Sequence, residues 1–203
     1  MVVEEFISQL KLQEIYFIMQ EVGGHAGICA FMKNPQWLKG IILTDTIIFP
    51  VSQYPKIARM LNLVNGPIFN FFNSNFNIII NRLTGAGVRR RKLDIMEKQT
   101  YKSMFSTKQS RRTITTMLHE LSEREELLSE VQRAFETRFS CLPALLIYGQ
   151  KDPLTKLGVP DRISRTMKNV SSHLIMGEGH FPHEGAPEEM SDLIIRWIGQ
   201  RSK

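Results

Sequence analysis

The hydrophobic positions of this chain fall into three zones that differ in their spacing. In the first zone, the runs from Glu14 to Met19 and from Leu38 to Thr44 have the length and apolar content of strands that are buried on both faces. Val3 to Leu12 has helical spacing, and His25 to Lys33 is a second predicted helix, closed by Asn34-Pro35. A strand, a turn, a helix and a second strand form an α/β unit, and a right-handed crossover would make the strands parallel.

The middle zone, about residues 47 to 140, contains no run of the strand type. Its apolar residues recur at helical intervals, as at Ile57, Met60 and Leu61, and Gly85-Ala86-Gly87 would interrupt a helix. A segment of this length is too long for a loop, so we expect a helical subdomain inserted into an α/β core.

The third zone returns to the α/β pattern. Leu142 to Tyr148 and Ser172 to Met176 are predicted strands, while Pro160 to Met167 and Pro187 to Ile198 are predicted helices. The fold class predicted is therefore α/β, with a mostly parallel sheet of four strands and an inserted helical cap. The predicted boundaries are residues 1–46 and 141–203 for the core and 47–140 for the insert.

Composition narrows the functional class. The 203 residues are 42% hydrophobic and 23% charged, as in ordinary globular proteins, and no signal peptide or membrane span is predicted, so we expect a cytoplasmic location. The net charge of +6 includes the run Arg89 to Lys92, which lacks interleaved aromatic residues, and we expect neither nucleic-acid nor membrane binding. The two cysteines, Cys29 and Cys141, form no CxxC pair and are expected to be small core residues.

Three predicted strands end in polar residues that can do chemistry. Glu21 follows the first strand, Asp152 follows the third and His180 follows the fourth. Ligands of parallel α/β sheets bind at the carboxyl ends of the strands, so these three side chains are expected to meet there. A nucleophile, an acid and a histidine, in that order along the chain, make up the triad of the α/β-hydrolases.

The motifs around these residues resemble one group of that fold. Gln20 to Gly24 resembles the nucleophile elbow of the haloalkane dehalogenases and related epoxide hydrolases, in which Gly23 and Gly24 would let the helix pass close to the strand. Leu146 to Pro153 is similar to the acid loop of that group, and Gly179 to Glu184 is similar to its histidine loop. The resemblance covers nearly the whole chain, and the insert lies where the group has its cap.

The resemblance implies a two-step hydrolysis. Glu21 would attack a carbon–halogen, epoxide or ester substrate, and His180, oriented by Asp152, would activate the water that hydrolyses the resulting enzyme ester. The N–H of Val22 would contribute to the oxyanion or leaving-group pocket. The implied partners are a small hydrophobic substrate and water, with no cofactor and no metal.

Three departures from the pattern leave an alternative open. Glu stands where the group has Asp, Val22 stands where it usually has Trp, and no His-Gly motif precedes residue 15. The strand beginning at Ile15 would be an apolar sheet edge, so we expect poor solubility, self-association or a fragment of a longer protein. Losing one donor loop could cost about 10² to 10³ in rate. The alternative is a truncated, non-catalytic remnant that acts as a binding or interaction module.

Single residues also have plainer interpretations. Glu21 would be a surface acid at a helix start, Asp152 a turn residue before proline and His180 a loop residue packed on its neighbour. His180 and His183 lack a third metal ligand, and His25 is expected to pack or cap. The aromatic residues expected in the core of the cap are Phe69, Phe71, Phe72 and Phe76.

Overall fold

The computed structural model describes residues 2–201 and contains one parallel sheet of four strands in the order β1-β2-β3-β4. Each strand lies where the apolar runs predict it, so the predicted α/β class with a four-stranded parallel sheet is confirmed. The strands are β1 (Ile15–Gln20), β2 (Leu38–Thr44), β3 (Ala144–Gly149) and β4 (Val170–Ile175).

Helices connect and cover these strands. Two precede β2, namely α1 (Val2–Gln9) and α2 (Glu21–Lys33). The segment between β2 and β3 forms α3 (Pro55–Asn65), α4 (Pro67–Phe76), α5 (Ile78–Ala86), α6 (Ile95–Met104), α7 (Lys108–Glu123) and α8 (Glu125–Glu136). The remaining helices are α9 (Pro153–Lys156), α10 (Val159–Thr166), α11 (Pro182–Gly185) and α12 (Pro187–Gly199). Residues 47–140 hold no strand, as predicted.

Several helix limits differ by a few residues from the sequence prediction; α1, for example, ends at Gln9 rather than at Leu12. Helix α2 begins at Glu21, directly after β1, rather than at His25, because the strand turns into the helix without an intervening loop. Helix α5 continues through Gly85 and ends at Ala86, so only the last glycine of Gly85-Ala86-Gly87 marks the break.

The register of the sheet brings the carboxyl ends of its strands together. Gln20 pairs with Thr44, Thr44 with Ile147, and Gly149 with Ile175. Because these are the final residues of their strands or lie close to them, the residues that follow all emerge at one edge of the sheet.

Both faces of the sheet are covered by apolar side chains. On one face, Ile41 and Leu43 belong to a buried cluster that includes Val131 and Phe135 of α8. On the other face, Ile42 and its neighbours pack against α12. Helix α8 therefore shares the core of the sheet, and the division of the chain at residues 47 and 140 stays a prediction.

Two packing predictions are wrong. Phe71, Phe72 and Phe76 are exposed rather than forming a cap core, because α4 turns the polar Asn73 inward, whereas Phe69 is half-buried. The Asn73 amide is held there by the carbonyl of Arg111 and the N–H of Ile79. Cys141 is likewise exposed, whereas Cys29 is half-buried.

Strand β1 lies at the edge of the sheet in the described part of the chain, where it pairs with β2. Its Ile18 is 49% exposed, as expected of an apolar strand at an edge. None of the helices in residues 2–201 is long and apolar enough to cross a bilayer. Self-association through this edge stays a prediction.

Candidate active site

Glu21 lies at the tight turn between β1 and α2. Its φ angle of 49° is in the left-handed region, which non-glycine residues adopt only at a cost. The turn holds because α2 packs closely on β1: a Cβ at Gly24 would lie 2.8 Å from the Met19 Cβ, and one at Gly27 would lie 2.2 Å from the Phe17 ring. Gly23 has open space around it, so the close approach depends on Gly24 and Gly27 and the predicted role of Gly23 is wrong.

Asp152 follows β3 and caps α9. Its side chain is wholly buried, and its Oδ1 accepts a hydrogen bond from the N–H of Leu154 at 2.7 Å. Pro153 begins the short helix α9, and Asp152 is its N-cap. The same residue is therefore both the turn residue before proline and the buried carboxylate of the site.

His180 joins the two carboxyl groups. Its Nδ1 lies 2.7 Å from Asp152 Oδ2, and its Nε2 lies 2.5 Å from Glu21 Oε1. The histidine side chain is 16% exposed and that of Glu21 is 43% exposed. The structure therefore brings together the three side chains predicted from sequence, in an acid–histidine–carboxylate line that opens to solvent at Glu21.

The electrostatics of this line favour a charged histidine. Burial alone would lower the pKa of His180, but hydrogen bonds and charge from Asp152 and Glu21 outweigh it and raise that pKa to about 11. Burial likewise works against the Asp152 carboxylate, but hydrogen bonds led by that of His180 hold its pKa below the ordinary value. At neutral pH His180 is therefore an imidazolium that donates to the Asp152 carboxylate.

A buried acid that the sequence did not reveal supports the histidine loop. Glu178 is wholly buried, and its Oε1 accepts hydrogen bonds from the N–H groups of Arg89 at 2.5 Å and of Gly179 at 2.7 Å. Its Oε2 accepts from the N–H of Arg90 at 3.2 Å. This carboxylate ties the loop after α5 to the loop that carries His180.

Two arginines of the basic run Arg89 to Lys92 form ion pairs with carboxylates. Arg90 pairs with Glu189, and Arg91 pairs with Glu97 at 2.7 Å and with Glu184 at 3.4 Å. The pairs with Glu189 and Glu184 join the insert to the C-terminal segment, so these arginines have a structural role.

Asp45 is the site residue that sequence reasoning missed. It follows β2, is wholly buried, has a φ angle of 40° and accepts a hydrogen bond from the N–H of Gly149 at 3.0 Å. One carboxylate oxygen of Asp45, one of Asp152 and one ring nitrogen of His180 all lie within 4.8 Å of one another. A signal was available in its position, because Asp45 directly follows the buried strand β2 just as Glu21 directly follows β1.

The remaining predicted residues lie around this centre. Val22 is in the first turn of α2, where an N–H has no acceptor within the helix, and its role in a leaving-group pocket stays a prediction. His25 is buried with its Nε2 2.7 Å from the carbonyl of Ile47, so it packs as expected. His183 Nδ1 lies 3.4 Å from Gln20 Nε2, beside the turn.

An apolar cavity of about 140 Å³ lies between the insert and the histidine loop. Phe181, whose ring centroid is 5.2 Å from that of His180, lines it on the side of the site. Tyr101 donates a hydrogen bond to Glu184 at 2.5 Å in its wall. The other lining residues are Ile80, Leu83, Thr84, Leu93 and Phe105.

Comparisons with known proteins identify the fold. The model of the alpha/beta hydrolase fold family matches residues 2–187. "Haloalkane dehalogenase 2" of Mycobacterium tuberculosis is 24% identical over 200 residues, which cover 98% of this chain and 69% of that protein. "Putative esterase/lipase 2" of Mycoplasma genitalium is 22% identical over 202 residues, again 98% and 69% of the two chains.

Solved structures with the same fold include two haloalkane dehalogenases. DbeA from Bradyrhizobium elkani superposes with a TM-score of 0.83 at 19% identity, over 97% of this chain and 71% of its own. DatA from Agrobacterium tumefaciens superposes with a TM-score of 0.81 at 18% identity, over 98% and 71%. The chain therefore belongs to the α/β-hydrolase fold family, in which it is similar to the haloalkane dehalogenases.

Proposed function

We propose that the protein is a hydrolase that cleaves a carbon–halogen bond in a small hydrophobic substrate through a covalent ester on Glu21. The observation that carries this proposal is the line Glu21–His180–Asp152, with contacts of 2.5 and 2.7 Å, at the carboxyl edge of the sheet. A carboxylate at a strained strand-to-helix turn, with a histidine that can activate water beside it, supplies both groups that a two-step hydrolysis needs.

The chemistry of a carboxylate favours a saturated carbon as its target. Displacement of a halide by a carboxylate oxygen forms an ester, which is stable enough to be an intermediate. Attack on an ester carbonyl would form a tetrahedral intermediate, which gives a mixed anhydride only if it expels the alkoxide. The carboxylate is the better leaving group of the two, so the intermediate would return to the starting ester. Glu21 therefore supports a haloalkane substrate better than an ester substrate.

Epoxide opening has less support from the side chains of the insert. It requires an acid that protonates the ring oxygen, and the tyrosines available are Tyr54 and Tyr101. The Tyr54 hydroxyl accepts a hydrogen bond from Arg162 at 3.3 Å. Tyr101 donates its proton to Glu184, and burial followed by the hydrogen bond and charge of Glu184 raises its pKa to about 12. A phenol held in that way is a poor acid.

The reaction begins with Glu21. Oε1 accepts the hydrogen bond from the imidazolium of His180, which leaves Oε2 to attack the carbon that bears the halogen. A carbon–oxygen bond forms, the carbon–halogen bond breaks and halide leaves. Because the negative charge of Glu21 is lost in the ester, the pKa of His180 falls and the imidazolium releases its proton to solvent.

Neutral His180 then serves as the base. It takes a proton from water, and the hydroxide attacks the ester carbonyl. The tetrahedral intermediate expels the alkoxide, which takes the proton of the regenerated carboxyl group and leaves as alcohol. Glu21 is again a carboxylate beside an imidazolium, and the sum is haloalkane plus water giving alcohol, halide and one proton.

The surroundings of the line suit an apolar substrate. The 43% exposure of the Glu21 side chain lets a substrate reach its carboxylate, and Phe181, which packs beside His180, also lines the apolar cavity. The glutamate is one methylene longer than an aspartate, and catalysis is sensitive to displacements of about 1 Å. We therefore expect turnover to depend strongly on the length of the acid at residue 21.

The test is release of bromide from short 1-bromoalkanes by the wild type, Glu21→Gln and Glu21→Asp. We expect bromide release by the wild type, loss to background in Glu21→Gln, and a different rate in Glu21→Asp. Glu188→Gln, at an exposed position in the first turn of α12, is the matched control and should retain the wild-type rate. Equal rates for the wild type and Glu21→Gln would contradict the proposal, and no release by either the wild type or the Glu21→Asp variant would favour the non-catalytic alternative.

A further inference from the structure

A second buried carboxyl group stands beside the acid of the triad and has no part in the reaction described above. Asp45 and Asp152 are both wholly buried, at the ends of the adjacent strands β2 and β3. An oxygen of each lies within 4.8 Å of the other and of a nitrogen of His180. Two carboxylates this close and this far from water cannot both stay ionised without a large cost.

The backbone is shaped to present Asp45 in this position. Its φ angle of 40° lies in the left-handed region, where aspartate is tolerated better than most residues but still at a cost. Its Oδ1 accepts from the N–H of Gly149, the last residue of β3, at 3.0 Å. The second oxygen, Oδ2, lies 3.3 Å from the hydroxyl of Thr44.

The partners of the two acids decide which of them keeps its charge. Asp152 accepts from the N–H of Leu154 and from the charged ring of His180, both at 2.7 Å. Within residues 2–201, the donors to Asp45 are both neutral, namely the N–H of Gly149 and the hydroxyl of Thr44. Charge-assisted hydrogen bonds are roughly twice as strong as neutral ones, so the negative charge belongs on Asp152.

We propose that Asp45 is protonated in the resting protein and donates a hydrogen bond to Asp152, so that the acid of the triad is a pair of carboxyl groups that share one proton. Asp45 is then a positioning residue that acts through Asp152. Its hydrogen bond stabilises the carboxylate that holds His180, and its proton removes the repulsion that a third negative charge would bring to the site.

The charges around Asp45 agree with this assignment. Burial first, and then the hydrogen bond and charge of Asp152, raise the pKa of Asp45 to about 10. His180 faces it from the loop after β4, and Glu21 lies beyond that ring. Tyr148 of β3 stays neutral, because burial raises its pKa and its hydroxyl donates to the carbonyl of Thr46 at 2.6 Å. His25 of α2 is also neutral, because burial lowers its pKa.

A bound cation would be the other way to neutralise this cluster. The 2.7 Å separation between His180 Nδ1 and Asp152 Oδ2 is that of a hydrogen bond, so a proton lies between these atoms. The nitrogen lone pair that a metal would need is therefore not available, and the geometry favours a shared proton over an ion.

The experiment compares two isosteric variants of the resting protein without substrate. Nitrogen-15 NMR titration of the His180 ring is recorded for the wild type, Asp45→Asn and Asp152→Asn, and infrared spectra are recorded at pH 7. We expect Asp45→Asn to change the pKa of His180 by less than about 1 unit, and Asp152→Asn to lower it by roughly 1 to 3 units because the charge is lost. We also expect a carbonyl band of a protonated carboxylic acid that Asp45→Asn abolishes.

The opposite results overturn the proposal. A larger fall of the His180 pKa in Asp45→Asn than in Asp152→Asn would place the charge on Asp45. A protonated-acid band that is absent, or that appears only after treatment with a chelator, would mean that both acids are ionised, with a cation between them in the second case. The inference rests on the role proposed for His180, but its readouts need no turnover. It can therefore fail while the proposed reaction stands, and the proposed reaction can fail while the inference stands.

Discussion

Replacing Asp45 with asparagine has a consequence for stability that can be worked out from the structure. Burial and Asp152 raise the pKa of Asp45 to about 10 in the folded protein, whereas an aspartic acid in an unfolded chain has a pKa of about 3.9. Between these values the folded state binds a proton on Asp45 that the unfolded state does not bind. The free energy of unfolding therefore falls as the pH rises through this window.

The size of the effect follows from proton linkage. One proton bound by the folded state alone changes the free energy of unfolding by about 1.4 kcal/mol per pH unit. Asparagine does not titrate, and its amide can still donate to Asp152 and accept from Gly149. Because an amide is a weaker donor than a carboxylic acid, we expect the free energies of unfolding of the variant and the wild type to be similar near pH 5. Over the three pH units to pH 8 the wild type then loses at most roughly 4 kcal/mol relative to the variant.

Urea denaturation at a series of pH values from 6 to 9 measures this difference. The titration of His180 contributes equally to both proteins, so it cancels when the two are compared at each pH. Asp192→Asn, an exposed position on α12, makes the same chemical change outside the site and should give a difference that does not vary with pH. A difference between Asp45→Asn and the wild type that is equally flat would refute the reasoning.

Two further predictions concern other parts of the molecule. In Glu178→Gln, an amide NH2 group would replace an oxygen that accepts hydrogen bonds from main-chain N–H groups, so donors would face donors. We expect the free energy of unfolding, measured by urea denaturation, to fall by about 2 to 3 kcal/mol. Glu189→Gln, which removes only an exposed ion pair, should change the stability far less, and equal losses would argue that Glu178 does not tie the two loops together. Ile18→Lys, at the exposed edge of β1, should shift the protein toward monomer in light scattering, whereas Ile195→Lys on α12 should not; a monomeric wild type would contradict the predicted association through the edge.

The sequence predicted the sheet well because its strands are buried on both faces. An unbroken apolar run such as Leu38 to Thr44 has few alternatives once it is flanked by turn residues, and β2 occupies that range. The insert was predicted only as helices. Phe72 and Phe76 of α4 have helical spacing, but spacing does not tell which face meets the core, and both are exposed.

Only part of the site was predicted, because sequence patterns describe local structure and not contacts between distant residues. Glu21, Asp152 and His180 each follow a strand and carry a recognisable local pattern, whereas Asp45 follows a strand without one. Its importance comes from a neighbour more than a hundred positions away in the chain, and only the pairing of β2 with β3 makes the two acids adjacent. The high pKa of His180 likewise depends on distances that no local pattern encodes.

The most direct test of the account is to trap the ester on Glu21. In His180→Gln the base is missing, so we expect incubation with 1-bromobutane to leave a butyl group on the peptide that contains Glu21, detected by mass spectrometry after digestion. Cys141 is exposed and can be alkylated without catalysis, so the adduct must be assigned to its peptide. The double variant Glu21→Gln/His180→Gln should lack the adduct on the Glu21 peptide. Alkylation confined to cysteine, or the same labelling in both variants, would contradict a nucleophilic Glu21.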